Sequence, residues 1–239
     1  MKVFISQSNY IPWKGFFDAI QLADAYVLYD EMQYTKQDWR NRNQIKTAQG
    51  LQWLSIPVKM SGRWLQKINE VEISNPKWTK QHWKSISQNY RKAPFFSAYG
   101  PWCEALYQSA NQPLLSQVNH HFLQAICELL QIETPFYWSA DFDLPEDLNE
   151  KLLYICKQLK ATHYISGPAA RSYLDESLFQ QHGISIIWLD YSEYPEYTQL
   201  YPPFTHSTTV LDLIFNVGPA AASYLKYFSS LSEYSSHHS

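Results

Sequence analysis

The sequence predicts an α/β fold: a mostly parallel sheet flanked by helices, with a helical segment in its middle. Short β-rich runs alternate with stretches of helical apolar spacing at both ends of the chain. The first two strand candidates are separated by just enough chain for one crossover helix, which makes them parallel. At 239 residues the chain can bury a sizeable core without disulfide or metal staples.

The elements follow in order. A strand over Val3 to Gln7 leads into the loop Ser8-Asn9-Tyr10-Ile11-Pro12-Trp13-Lys14-Gly15, then a helix from Phe16 to Ala23 and a strand from Ala25 to Tyr29. Ligands of open α/β sheets sit beyond the carboxyl ends of the strands, and Gln7 and Asp30 stand at two such ends. Gln52 to Val58 and Glu70 to Ser74 read as further strands forming a hairpin-like extension, with Pro57 at an edge or a strand end. From Trp78 to Ile132 the spacing is helical, with breaks at Ala93-Pro94, Gly100-Pro101 and Gln112-Pro113. This predicts three helices, an insert or appendage over residues 78–132 within a single domain spanning 1–239. A strand at Phe136 to Trp138, a helix from Asn149 to Leu159, a strand from Thr162 to Ser166, a Gly167-Pro168 turn, a helix to Gln180 and a strand from Ile184 to Leu189 complete the pattern. The Ser- and His-rich stretch from Ser229 to Ser239 carries no assignable chemistry.

Composition narrows the function. Lys and Arg total 19 against 22 Asp and Glu, so the net charge of -3 offers nucleic acid or an anionic membrane no general attraction, and any anion site must be local. Cys103, Cys127 and Cys156 are isolated and odd in number, which reads as reduced core thiols in a cytoplasmic protein. No stretch is apolar enough over the length of an integral membrane segment, and no signal peptide is evident. Glycine occurs only 7 times, and neither a dinucleotide fingerprint nor a Walker loop is present. Aromatic residues make up 16% of the chain, a level that fits either a ligand groove or an aromatic core.

Several segments, taken together and in order, resemble the WbqC-like protein family. They are Gln7-x-Asn9-Tyr10-Ile11-Pro12-Trp13-x-Gly15-Phe16-Phe17, Tyr29-Asp30-Glu31-Met32-Gln33-Tyr34, Asp38-Trp39-Arg40-Asn41-Arg42-Asn43 and Trp53-Leu54-Ser55-Ile56-Pro57-Val58. Further along come Trp78-x-x-x-His82, Asn89-Tyr90-x-x-Ala93-Pro94-Phe95-Phe96, Tyr164-Ile165-Ser166-Gly167 and Leu211-Asp212-Leu213-Ile214-Phe215-Asn216-x-Gly218. Two positions depart from the family pattern: Ser8 stands where proline is usual, and Glu31 where a second aspartate is usual. Similar proteins are encoded among genes for bacterial O-antigen and related lipopolysaccharide glycans. The resemblance therefore implies a sugar-modifying role in surface-polysaccharide biosynthesis.

The residues offer several constellations. Amides of Lys14, Gly15 and Phe16 open a helix, where an anion is favoured and Gly15 would admit a phosphate; Pro12 and Trp13 equally read as a rigid turn with a buried ring. Gly15-Phe16 also stands where nucleotidylyl-transferring α/β enzymes carry Gly-His, and the missing imidazole argues against adenylyl transfer. Gln7, Asn9, Tyr10 and Trp13 would contact the ligand from this loop. From Gln33 to Lys46 cations outweigh Asp38, with Tyr34 and Trp39 interleaved, so Gln33, Tyr34, Trp39, Arg40, Asn41, Arg42 and Asn43 read either as a donor-rich ligand segment or as a solvated basic loop. His82 shares a helical face with Trp78 and Tyr90 and is the expected general base; a hydrogen-bonded helix histidine is the plain alternative. Asp30, at a strand end, is a second catalytic candidate or a turn former. Tyr90, Ser166, Gly167, Asp212 and Asn216 are further candidate contacts, and Asp212 and Asn216 equally read as braces of a short helix. Adjacent His120 and His121 diverge on a helix and are not expected to chelate one metal.

The expectation is a transferase that N-acylates a nucleotide-linked or lipid-linked amino sugar, with an acyl carrier protein or a CoA-type donor supplying the acyl group. The alternative is a non-catalytic module that binds a sugar nucleotide or a protein of the same pathway.

Overall fold

The computed structural model describes residues 1–227. The chain runs β1 (Lys2–Ser6), α1 (Lys14–Leu22), β2 (Ala25–Leu28), then a hairpin of β3 (Arg42–Thr47) and β4 (Gly50–Ser55). The helices α2 (Trp78–Tyr90), α3 (Phe96–Ser109) and α4 (Leu115–Leu129) follow, then β5 (Phe136–Trp138), α5 (Leu148–Gln158), β6 (His163–Ser166), α6 (Glu176–Gln181), β7 (Ser185–Trp188) and α7 (Val210–Val217).

The main sheet has the order β5-β2-β1-β6-β7, and every pairing in it is parallel. β2 is buried at all four residues and β1 at its three central ones, as strands covered on both faces must be. The chain winds outward from β1 through β2 to β5, then returns to the other side of β1 to lay down β6 and β7. The order therefore reverses between β1 and β6, and their carboxyl ends, Ser6 and Ser166, frame the crevice.

One face of the sheet packs with α1 to α4 and α7 in a single buried cluster, and the other face is covered by residues of α5 and α6. α2 presents Trp78, His82, Ile86 and Tyr90 inward, a stripe at four-residue spacing. Pro101, the sixth residue of α3, gives up one ladder bond without ending the helix, which packs against α2 and α7. The expected strand pair 52–58 and 70–74 is replaced. Gly50–Ser55 pairs instead with Arg42–Thr47, the basic stretch, around a turn at Gly50 with φ of 111°, while 70–74 makes only isolated bridges. Charge on one face of a two-stranded ribbon hides its strand pattern. The stretch from Ser229 to Ser239 lies outside the described residues.

His82 is part of this framework. Its Nε2 donates to the carbonyl of Ser55 at 3.2 Å, which settles the tautomer, because a carbonyl only accepts. Nδ1 therefore accepts from the hydroxyl of Tyr10 at 2.8 Å, and Tyr10 in turn accepts from Tyr107 at 2.6 Å. The rings of Trp78, Tyr107 and Phe122 enclose the group. Burial lowers the pKa of His82 to about 4 despite the bond to Ser55, so the ring is neutral at pH 7. The residue expected as a base thus has both nitrogens engaged in tying α2 to β4 and to the loop after β1.

Two outcomes follow from this packing. The unfolded chain takes up a proton at His82 near pH 6.5 and the folded chain near pH 4. The neutral ring's contribution is full above pH 6.5 and is lost as pH falls through about 4, amounting to about 3 kcal/mol. His82→Gln keeps a donor for Ser55 and an acceptor for Tyr10 without the titration, and denaturant titrations should show a correspondingly flatter acid limb. Gly218 caps α7 at φ 58° and ψ -126°, and a methyl group there would overlap the ring of Phe95. Gly218→Ala should cost about 2–4 kcal/mol in the same assay.

Candidate functional site

The loop after β1 is polar yet buried, and its backbone groups find partners in three distant segments. The amide of Ser8 donates to Oδ1 of Asp30 at 2.8 Å, and Nδ2 of Asn119, on α4, donates to the Ser8 hydroxyl and to the carbonyl of Arg40, both at 2.9 Å. Tyr10 donates its amide to the carbonyl of Trp39 at 3.0 Å. Asn43 donates to the carbonyls of Tyr10 and Ile11 at 3.1 and 2.9 Å, which steadies Ile11 at a positive φ of 35°. A proline at position 8 would have no N–H to offer Asp30.

Held this way, the loop walls a cavity of about 870 Å³ at the reversal between β1 and β6. Gln7, Asn9, Trp13, Trp39, Arg40, Asn43, Ser166 and Gly167 line it, bringing together eight of the residues expected to contact ligand. The other walls carry Tyr29, Tyr164, Tyr173 and Tyr191, and the segment His206 to Thr208. Among the described residues no carboxylate lines the cavity, and Arg40 is its one Lys or Arg. Its guanidinium donates to Oδ1 of Asn9 and lies 3.4 Å from Asp38, while its Nε is buried without a partner. The hydroxyl of Tyr29 is likewise buried and unpartnered, and burial raises its pKa, so it is a neutral phenol. The site therefore combines one cation, several hydroxyls and broad aromatic walls, the makeup of a pocket for a ring-bearing, hydroxylated anion.

Other expected residues lie outside this lining. Asp30 is buried with its Oδ1 bound to Ser8 and its Oδ2 without a partner, and burial raises its pKa. Tyr10 and His82 belong to the node beneath the loop. The space before Gly15 is filled by the indole of Trp13, and the amide of Phe16 donates to the carbonyl of Trp13 at 3.0 Å, so this helix end makes no phosphate cradle. Gln33 donates to the carbonyl of Trp64 at 3.0 Å, Asn41 to that of Ile56 at 2.9 Å, and Tyr34 is buried with its pKa raised by burial to about 12. Tyr90 donates to Asp212 at 2.8 Å, Tyr197 and Gln199 bond its other oxygen at 2.8 Å each, and Asn216 donates to its backbone carbonyl at 2.7 Å. That network braces α7. Arg42 stacks on Trp53, its guanidinium carbon 4.1 Å from the ring centroid.

The sequence reading missed His206. It lies in the long connection from β7 to α7, a stretch rich in Tyr and Pro with no periodicity to flag a site. Its ring packs between Trp13 and Phe204, with centroids 6.3 and 4.6 Å away. Its Nδ1 is buried without a partner, and burial, aided by the charge of Lys14, lowers its pKa. Among the described residues it is the imidazole that lines the cavity, and the lowered pKa leaves it neutral at pH 7. Among the described residues no group of three His, Cys, Asp or Glu side chains is placed to hold a metal ion, and no helix is long and apolar enough to cross a membrane. Cys103, Cys127 and Cys156 are free and buried.

Comparison with known proteins agrees with this architecture's sequence signature. The uncharacterized protein Rv1507c of Mycobacterium tuberculosis is 46% identical over 226 residues, covering 95% of this chain and 98% of the relative. No solved structure matches the chain. The model of the WbqC-like protein family matches residues 7–224, from the first residue beyond β1 to the segment behind α7. With a match of that extent, over the segments that build the cavity, the chain belongs to the WbqC-like protein family.

Proposed function

We propose that the protein is a cytoplasmic transferase of bacterial surface-polysaccharide assembly that N-acylates an amino sugar carried on a phosphate. The observation that carries this reading is the cavity at the sheet reversal, which, among the described residues, a single arginine, several hydroxyl-bearing residues and a neutral histidine line together. The association of similar proteins with O-antigen genes supports the substrate class.

In this reading Arg40 binds the carrier phosphate through a fork already aimed by Asn9 and Asp38. Phenolic and hydroxyl groups of Tyr29, Ser166 and Thr208 meet the sugar, and the aromatic walls exclude water. The acyl group arrives as a thioester on CoA or on an acyl carrier protein. The sugar amine attacks the thioester carbonyl, a C–N bond forms, and His206 accepts the proton that the nitrogen sheds. The C–S bond then breaks, and the departing thiolate recovers that proton from His206. A neutral imidazole of lowered pKa is suited to the first step, because it is unprotonated when the amine arrives. His82 and Asp30 act in this scheme as supports of the loop that carries Gln7 and Asn9.

A second reading keeps the cavity and drops the transfer: a non-catalytic binding module for the same sugar. It is favoured by the fact that the two residues expected from sequence to do catalysis are both engaged below the cavity. The two readings separate in one experiment. Calorimetry with an amino-sugar nucleotide should give Arg40→Gln at least a tenfold weaker Kd. With acyl-CoA or acyl carrier protein added, His206→Gln should lower turnover by about 10²–10⁴ while Kd stays within about twofold. Binding without turnover in the parent protein selects the binding module.

A further inference from the structure

The described surface carries two large indoles beside the cavity mouth that the proposal above leaves unused. Trp39 lines the cavity yet is 46% exposed, and Trp53, on β4, is 40% exposed. Their ring centroids are 5.4 Å apart and their planes are tilted by 41°. Single exposed apolar side chains are ordinary, but two adjoining indoles at a cavity rim form a contiguous patch that water solvates poorly. The patch is rigid: Gln44 pairs with Trp53 and Arg42 with Ser55 in the hairpin ladder, which puts Arg42 diagonally across from Trp53 on one face. Arg42 has no carboxylate partner among the described residues, and its Nε is buried without a bond. This guanidinium, its carbon 4.1 Å from the indole centroid, stands two residues along the chain from Arg40 of the cavity lining.

We infer that this rim is a nucleobase-stacking subsite, so that the sugar's carrier is a nucleotide. This rests on the reading that the cavity takes a phosphate-linked sugar and goes beyond it by naming the carrier. A base stacks on Trp39 and Trp53 outside the mouth, its phosphates lie between Arg42 and Arg40, and the sugar points inward toward Tyr29 and Ser166. A polyprenyl carrier fits the rim poorly, because its chain would leave across two guanidiniums and strip their hydration. Stacking on indole tolerates any base, so the geometry selects the chemical class and leaves the base identity to the sugar nucleotide's source.

The test titrates the full chain with ribose 5-phosphate and with UMP, CMP, GMP and dTMP, following tryptophan fluorescence and calorimetry. At least one nucleotide should bind about 5- to 150-fold more tightly than ribose 5-phosphate, with quenching of indole emission. Trp53→Ala should bring that preference within about twofold of unity, read as the ratio of the two affinities in the same variant because Arg42 rests on Trp53. Trp53→Leu, which keeps apolar area at an exposed position, should behave like the alanine variant. If ribose 5-phosphate binds but no nucleotide binds better, or if the preference survives in both variants, the stacking subsite is overturned and the phosphate cavity stands. If neither ribose 5-phosphate nor any nucleotide binds, both readings fall. Binding of undecaprenyl phosphate in micelles in preference to every nucleotide also overturns the subsite.

Discussion

The amide of Ser8 donates to a carboxylate oxygen of Asp30 at 2.8 Å, and both residues are buried. This bond joins the ends of β1 and β2 just where the two strands stop pairing, and it turns the chain from the sheet into the loop that walls the cavity. A polar loop in a core is costly unless its groups are satisfied, since each unmet donor or acceptor loses about 1–3 kcal/mol. Asn119, Asn43 and the carbonyl of Trp39 complete that satisfaction from α4, β3 and the segment before β3. Three regions far apart in sequence thereby converge on the loop from Ser8 to Ile11.

Two sets of buried polar groups bear on the cavity. His82, Asp212, Tyr90 and Asn43 each have partners at hydrogen-bond distance, and their effect is to fix one arrangement of helices and loops. Nε of Arg40, the hydroxyl of Tyr29 and Nδ1 of His206 are buried without partners, and their residues line the same cavity. Other unbonded atoms, among them Oδ2 of Asp30, Nε of Arg42 and Oδ1 of Asn119, belong to residues outside that lining, so it is the shared lining and not the missing bond that groups these three. The same contrast separates the two imidazoles. A ring with both nitrogens engaged, such as His82, has no free lone pair to accept a proton, whereas Nδ1 of His206 has no partner.

Parallel architecture explains why the cavity lies where it does. β1 is central, and the crossovers to β2 and to β6 leave it in opposite directions. At such a reversal the adjacent loops part and leave a crevice, which here is floored by Ser6 and Ser166 and roofed by the connection from β7 to α7. Trp13 fills the space before Gly15, so the helix end beside this crevice is closed to anions and the guanidinium of Arg40 is left as the cation of the site.

Local pattern alone determined most elements. Apolar runs of four or five residues separated by one amphipathic helix specify parallel strands, and the placement of Gln7, Asn9, Ser166 and Gly167 at carboxyl ends brings them to one crevice by topology. The hairpin was not legible, because Arg42, Gln44 and Lys46 at alternate positions read as a solvated basic loop until Gly50–Ser55 pairs with Arg42–Thr47 and Lys46 is buried. The role of His82 was not legible either. Its helical alignment with Trp78 and Tyr90 is real, but helical periodicity says which face a residue occupies and not what meets it there. Only tertiary structure sets Tyr10 and the Ser55 carbonyl against its two nitrogens, across 72 and 27 residues of chain, and leaves His206 without such partners. The sequence by itself determined the main sheet, its crevice and the strand-end residues beside it, because these follow from local periodicity and chain connectivity. Which polar groups are engaged and which stay open for chemistry was decided by long-range packing, because a hydrogen bond depends on the atom that arrives opposite and no local pattern records it.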